Sequence, residues 1–172
     1  MLLHPYNPSW PEIFNTEKEA LNQALGDLPL RIDHVGSTSV PGLLAKPIID
    51  IQISVAKIDV PVFEGALKTL GYHHLPMPEP SPDVYPFFRK PKNWPTTHHV
   101  HFCIINGEEE VKHLAFRDWL RTHPEDMAAY AALKEGLAKE VDDADVETIY
   151  RYTARKGPWI QKITRKAMAE SS

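Results

Sequence analysis

The chain has 172 residues, of which 42% are hydrophobic and 24% are charged, so it can bury the core of one globular domain covering residues 1–172. A formal charge of −4 argues against a surface built to bind nucleic acid, and the single cysteine, Cys103, excludes an intramolecular disulfide. The sequence has no signal segment and no apolar run of membrane-spanning length, so we expect a cytoplasmic protein without a membrane partner.

Hydrophobic periodicity in the first half predicts two helices and two strands. Ser9 and Glu12 are spaced as a capping box before an amphipathic helix that ends near Gly26. A second helix is expected between Asp59, as its N-cap, and Gly71, as its C-terminal stop. The predicted strands cover residues 30–35 and 47–55.

The second half divides into a proline-rich segment, one more strand and a helical region. An edge strand is predicted at residues 84–90 and a stronger one at 97–105. Beyond residue 107 the patterns predict helices only, which separates a sheet-containing part (1–107) from a helical part (108–172) and favours an α+β fold with helices packed on one sheet face. The predicted helices cover residues 111–122, 124–141 and 145–168, the last broken at Gly157-Pro158.

The strand at residues 47–55 carries one carboxylate in an apolar run. Alternation places Asp50 and Gln52 on one sheet face and the isoleucines between them on the other. Twelve residues before Asp50, the small residues Gly36, Ser37 and Thr38 predict a turn whose N–H and hydroxyl groups suit an anionic ligand such as a triphosphate. The alternative is an ordinary strand aspartate beside a turn in which serine and threonine make only local hydrogen bonds.

The segment from His34 to Ile51 resembles the signature of the GrpB family, an offshoot of the nucleotidyltransferase superfamily, in which a Gly-Ser turn precedes a strand bearing two acids. The resemblance covers nearly the whole chain and implies a nucleotidyltransferase-like mixed sheet in which Gly36 and Ser37 hold nucleotide phosphate. It also implies attack of an acceptor on a nucleoside triphosphate, and association with dephospho-coenzyme A kinase, to which relatives are fused. The other matching stretches are residues 5–11, 99–101, 116–124, 130–134 and 152–156.

Gln52 stands where superfamily enzymes place the second acid, although two carboxylates together are needed to hold the Mg²⁺ ions of nucleotidyl transfer. His99 and His101 alternate along their strand and could replace the missing acid. With Asp50 and His34 they would form a nitrogen and oxygen site for a divalent metal, Mg²⁺ or Mn²⁺, or Zn²⁺ through the imidazoles. The alternative is that both histidines are polar residues on an exposed sheet face.

Four basic residues are candidates for binding phosphate. Lys46 lies just before the Asp50 strand, Arg89 ends an aromatic strand, and Arg117 and Lys156 lie in predicted helices. Arginine can hold phosphate through two parallel hydrogen bonds, and lysine acts as a point charge. Each residue also has a simpler interpretation as a solvated side chain or as the partner of a nearby acid.

We therefore predict a protein that binds a nucleotide or another phosphorylated small molecule with a divalent metal, with Asp50 as the catalytic residue of a nucleotidyl transfer to a small-molecule or protein acceptor. Two alternatives remain open. One is a catalytically inactive module that retains the ligand cleft. The other is a histidine and aspartate metal site that hydrolyses its substrate through a metal-activated water.

Overall fold

The structure, a computed structural model, describes residues 3–75, 85–142 and 145–170 and has an α+β architecture. A short 3-10 turn, Ser37–Ser39, connects the first two strands in the chain. The strands are β1 (Pro29–Val35), β2 (Ile49–Val55), β3 (His73–His74), β4 (Phe87–Lys90) and β5 (His98–Ile104). The helices are α1 (Trp10–Leu25), α2 (Val60–Lys68), α3 (Glu108–Thr122), α4 (Pro124–Ala138) and α5 (Val146–Glu170).

The five strands form one mixed sheet in the order β1-β2-β5-β4-β3. The central strands β2 and β5 are parallel, and the other neighbouring strands are antiparallel. In the β2–β5 register Asp50 pairs with His99 and Gln52 pairs with His101. Because paired residues of adjacent strands point to the same side, these four side chains share one face of the sheet.

The opposite face of the sheet is the hydrophobic core. Ile51 and Ile53 of β2 and Phe102 of β5 are fully buried there against α1 and α2. Phe63 of α2 stacks on Phe102 with ring centroids 3.9 Å apart. Burial of one such side chain contributes about 1.5–3 kcal/mol to folding, so this layer fixes the register that positions the polar face.

Two N-terminal helix caps are predicted in the first half of the chain, and the structure confirms only one of them. Asp59 caps α2, because its Oδ1 accepts a hydrogen bond from the Val62 N–H at 3.4 Å. The Ser9 capping box is wrong: Ser9 has helical backbone angles and its side chain makes no cap hydrogen bond. Its own N–H instead donates to Asn7 Oδ1 at 2.9 Å.

The edge of the sheet beyond β4 is formed by β3, a strand that the sequence patterns do not predict. A strand of two residues, His73–His74, is too short to produce a periodic pattern in the sequence. The strand predicted at residues 84–90 corresponds to β4, while residue 84 lies outside the described residues.

Helix α5 continues through Gly157 and Pro158, so the predicted break is wrong. A proline ring clashes most with the Cβ of the preceding residue, and glycine has none. Buried side chains on both sides of the proline, Tyr152 and Ile163, hold the two halves of the helix in line.

Helices α3 to α5 lie toward the polar face of the sheet. His113 of α3 contacts Gln52 of β2, and Arg117 contacts Asp33 of β1. Helices therefore cover both sides, α1 and α2 on the core side as predicted and the helical half on the other, with a cavity between that half and the sheet. Within the described ranges, no helix combines the length and apolarity needed to span a bilayer.

Candidate functional site

The small-residue turn and the carboxylate meet at the polar face. Gly36 has a positive φ of 67°, which L side chains rarely adopt, and a Cβ placed on it would lie 2.3 Å from Asp50 Oδ2. Only glycine leaves room for the carboxylate at this position. The structure thus brings together the two features that the sequence separates by twelve residues.

The Asp50 carboxylate is held by two imidazoles from β5. His99 Nδ1 lies 3.2 Å and His101 Nε2 lies 3.9 Å from Asp50 Oδ1, and the Asp50 side chain retains 27% of its exposure. Burial works against ionisation of this carboxyl, but hydrogen bonding from His101 and His99 outweighs burial and holds its pKa well below the ordinary value. Asp50 is therefore a carboxylate at neutral pH.

His34 lies on the other face of the sheet. It pairs with Ile51, whose side chain is in the core, and its ring stacks on Phe14 with centroids 4.8 Å apart. Burial lowers its pKa to about 4, and its Nε2 lies 3.0 Å from Thr38 Oγ1. The Thr38 hydroxyl in turn donates to the Ile48 carbonyl, so both side chains are engaged in the interior.

The side chains present do not fit the predicted metal centre. Across residues 3–75, 85–142 and 145–170, no three histidine, cysteine or acidic side chains are placed to share a metal ion. His34 is on the wrong face, and the nitrogen atoms of His99 and His101 are directed at the Asp50 carboxylate itself. The prediction of a four-ligand centre is wrong because only three of its residues project from the same face.

His113 occupies the space beside the missing second acid, and sequence reasoning did not identify it. Its Nδ1 lies 2.7 Å from Gln52 Oε1, and its ring centroid is 5.8 Å from that of His101. Burial, assisted by the nearby His101, lowers the pKa of His113 to about 4. A neutral amide at position 52 therefore faces a neutral imidazole, where a carboxylate would face repulsion from Asp50.

Lys134 of α4 reaches the Gly36-Ser37 turn and was also missed by sequence reasoning. Its Nζ donates to Ser37 Oγ at 3.1 Å and to the Leu44 carbonyl, and only 1% of the residue is exposed. Burial, reinforced by the positive charge of Lys156, lowers the pKa of Lys134 to about 7. A cation or a neutral amine is thus available at the turn near physiological pH.

Two further ammonium groups approach a single aromatic ring. Lys46 Nζ lies 4.6 Å and Lys156 Nζ lies 4.5 Å from the centroid of Tyr152. Burial lowers the pKa of Lys156, while the negative charge of Asp50 opposes this change. Like charges gathered in this way are stabilised when an anion lies between them.

These groups line one cavity of about 670 Å³, a size typical of small-molecule sites. Among the described charged residues on its wall, Lys46, Arg89, Lys134 and Lys156 are basic and only Asp50 and Glu109 are acidic. Its aromatic wall residues are Tyr85, Phe87, Trp94, Phe102, Tyr150 and Tyr152. The remaining wall includes Ser37, Thr38, Thr96, His99, His101 and His113.

Arg117 does not reach the cavity. Its guanidinium donates to the His34 carbonyl at 3.1 Å and to Asp118 at 2.8 Å, and it contacts Asp33 at 3.5 Å. These contacts fasten α3 to β1, so the structure supports the salt-bridge interpretation of this residue and not the phosphate-binding one.

The sequence does contain a signal for Lys134. Tyr130 and Lys134 are four residues apart in α4, and Tyr152 and Lys156 repeat the same spacing in α5. Each pair brings an ammonium group over a ring, at 4.7 Å and 4.5 Å respectively. The repeat of a tyrosine and a lysine one helical turn apart could have identified both residues.

The family model described as "GrpB protein" matches residues 1–166. The chain belongs to the GrpB family. This family member is 39% identical over 163 residues to the UPF0157 protein YqkA of Bacillus subtilis, covering 94% of this chain and 46% of YqkA. The chain thus spans about half the length of that relative. It is also 31% identical over 190 residues to a Mycolicibacterium paratuberculosis protein named dephospho-CoA kinase, covering 96% of this chain and 45% of that protein.

Solved structures confirm the predicted fold of this GrpB protein. The crystal structure of GrpB from Enterococcus faecalis matches with a TM-score of 0.83 and 36% identity over 99% of both chains. The complex of Cid1 with its short product ApU matches with a TM-score of 0.50 and 14% identity, covering 79% of this chain and 43% of Cid1. At that identity the second match establishes the nucleotidyltransferase-like fold alone.

Replacing Gly36 with alanine is expected to destabilise the protein through backbone strain and contact with Asp50. Gly26→Ala is a matched control, because Gly26 also has a positive φ, of 59°, but no atom lies within 4 Å of its added Cβ. Backbone strain in such a sparsely populated conformation costs about 1–3 kcal/mol at either position. In urea unfolding, Gly36→Ala should lose about 1–3 kcal/mol more of its unfolding free energy than Gly26→Ala, because the added Cβ overpacks against Asp50. Equal losses in the two variants would contradict the close approach.

The lowered pKa of Lys134 predicts a stability that rises with pH. Between about pH 7 and pH 10 the unfolded chain holds a proton on Lys134 that the folded chain has released, so the free energy of unfolding increases. Chemical unfolding of Lys134→Met across this range should lack that increase, which amounts to about 1.4 kcal/mol per unit of pKa difference. Lys139→Met, which alters an exposed lysine just beyond the same helix, should follow the wild type. Parallel curves for all three proteins would contradict the assignment.

Proposed function

We propose that this GrpB-family protein binds a nucleotide, or another phosphorylated small molecule, in the cavity between the sheet and the helical half. The observation that carries the proposal is the presence of three lysines on the wall of one cavity, beside the turn that contacts Asp50. Lys134 contacts Ser37, and Lys46 and Lys156 approach the same Tyr152 ring. Such a cluster is costly in a half-buried cavity unless an anion neutralises it.

The turn supports the assignment of phosphate as the anion. Gly36 brings its backbone within contact of Asp50, and Ser37 follows it with a hydroxyl already bonded to a lysine. A ligand phosphate could accept from this hydroxyl and from the ammonium groups without any change in the strands. Charge-assisted hydrogen bonds of this kind contribute about 1.5–3 kcal/mol each.

The aromatic wall favours a nucleotide over a smaller phosphate ester. Trp94, Tyr150 and Tyr152 line the same cavity as the lysines. A base stacked on an aromatic side chain contributes about 1–3 kcal/mol to binding, regardless of which base it is. The volume of about 670 Å³ accommodates a base, a ribose and a phosphate chain together.

Gln52 stands at the position where the two-metal mechanism of nucleotidyl transfer needs its second acid. The function that the residues support best is therefore ligand binding by the basic and aromatic side chains of the cavity. An accessory role beside a dephospho-CoA kinase would be consistent with it, since two relatives that carry that name are 31% and 28% identical to this chain.

Removing one cavity lysine should weaken ligand binding selectively. We expect Lys156→Gln to raise the Kd for ATP, measured by calorimetry, by tenfold or more, because about 1.5 kcal/mol or more of charge-assisted bonding is lost. Lys162→Gln removes the same charge from an exposed position of α5 and should leave the Kd unchanged. Equal effects of the two substitutions, or no ATP binding by the wild type, would refute the assignment of this cavity.

Metal removal separates lysine-based from metal-based binding. With the phosphate held by ammonium groups, the Kd for ATP should be the same in Mg²⁺ and in excess EDTA. Asp50→Asn, measured at pH 6 so that Lys134 stays protonated, should retain binding, because the substitution removes a negative charge from the cavity. Binding that requires Mg²⁺ and disappears in Asp50→Asn would instead make Asp50 a metal ligand.

A further inference from the structure

Asp50, His99 and Thr96 form a hydrogen-bonded chain on the wall of the cavity. His99 Nδ1 lies 3.2 Å from Asp50 Oδ1, and His99 Nε2 lies 2.9 Å from Thr96 Oγ1. All three residues line the cavity. A hydroxyl, an imidazole and a carboxylate connected in this order are the arrangement by which proteins activate a hydroxyl as a nucleophile.

The protons of this chain can be placed from the chemistry of its members. An ionised carboxylate only accepts hydrogen bonds, so the proton between Asp50 and His99 belongs to Nδ1. A neutral His99 then carries its lone pair on Nε2, and the Thr96 hydroxyl is the donor to it. This is the tautomer that a general base requires.

We propose that Thr96 is a nucleophile that takes a nucleotidyl group from a nucleoside triphosphate, with His99 as its general base and Asp50 as the residue that orients His99. Thr96 Oγ bonds to the α-phosphorus, the bond from that phosphorus to pyrophosphate breaks, and the threonine proton passes to His99 Nε2. The products are a phosphodiester on Thr96 and free pyrophosphate. This inference rests on the proposed function, because the triphosphate must first occupy the cavity.

The surroundings of Thr96 suit that step. Trp94, two residues before it, lies 5.3 Å from Lys46 Nζ, and Lys46 and Lys156 both approach Tyr152. Ammonium groups on the same cavity wall as Thr96 can stabilise the charge that develops on the phosphoryl oxygens and on pyrophosphate. An imidazole base removes the proton of the attacking hydroxyl, which a metal ion held by two carboxylates would otherwise promote. This step therefore needs no acid at the position of Gln52.

A purely structural role makes a different prediction. Thr96 is only 4% exposed, and its hydroxyl could serve to hold the His99 ring in place. In that case no bond to Thr96 would form, and loss of the hydroxyl would alter only the orientation of His99. Covalent modification at position 96 therefore distinguishes the nucleophile from the anchor.

The test is intact-mass spectrometry of the full chain after incubation with each of the four ribonucleoside triphosphates. We expect a mass increase of one nucleoside monophosphate residue with at least one of them, mapped to Thr96 in the peptide spectrum and accompanied by pyrophosphate. The nearly isosteric Thr96→Val should form no adduct, and Thr96→Ser, which restores a hydroxyl, should form it again. His99→Gln should slow its formation by about 100-fold or more, the usual contribution of a general base.

The outcomes separate this inference from the binding proposal. Thermal stabilisation by a triphosphate without any adduct would overturn the nucleophile and leave the proposed function intact. An adduct on another residue, or one that persists in a folded Thr96→Val protein, would also overturn it. Neither stabilisation nor an adduct with any triphosphate would overturn both proposals.

Discussion

The close approach of Gly36 to the Asp50 carboxylate is the constraint on which the site depends. The missing Cβ admits Asp50 Oδ2 into a space where a side-chain carbon would lie 2.3 Å away. That contact holds the turn over the end of β2, which gives Lys134 a serine hydroxyl to reach from the helical half. The parallel register of β2 and β5 then brings His99 beside the same carboxylate. One absent side chain thereby allows three separate parts of the chain to meet.

The site lacks the second carboxylate that the resemblance to nucleotidyltransferases implies at position 52. A second carboxylate near Asp50 would require a cation to offset repulsion at short range. Gln52 removes that requirement because its amide carries no charge. The amide contacts the imidazole of His113, and burial lowers the pKa of His113 so that the ring stays neutral. Positive charge is supplied instead by lysines of the helical half. In the proposed function these lysines, and not a metal ion, neutralise the bound anion.

Local periodicity predicted the faces of the sheet but not the tertiary contacts. Alternation along two strands placed Asp50 with His99 and His101 correctly, because a period of two fixes which side chains share a face. The same rule placed His34 with Ile51 in the core, which the metal hypothesis overlooked. His113 reaches the site from α3 through helix packing that no local pattern encodes. Lys134 also comes from a distant helix, and only the repeated spacing of tyrosine and lysine marks it in the sequence. The break predicted at Pro158 failed because packing of α5 outweighed an unfavourable local preference.

The distribution of the cavity wall along the chain has a consequence for how the protein is made. Ser37 and Asp50 come more than a hundred residues before Lys156, which belongs with Tyr152 to α5, the last of the described helices. A nascent chain that has already paired β1 with β2 still has no closed compartment on its polar side. The compartment on the polar side is therefore completed only when α5 docks, after the strands that form its floor have been synthesised.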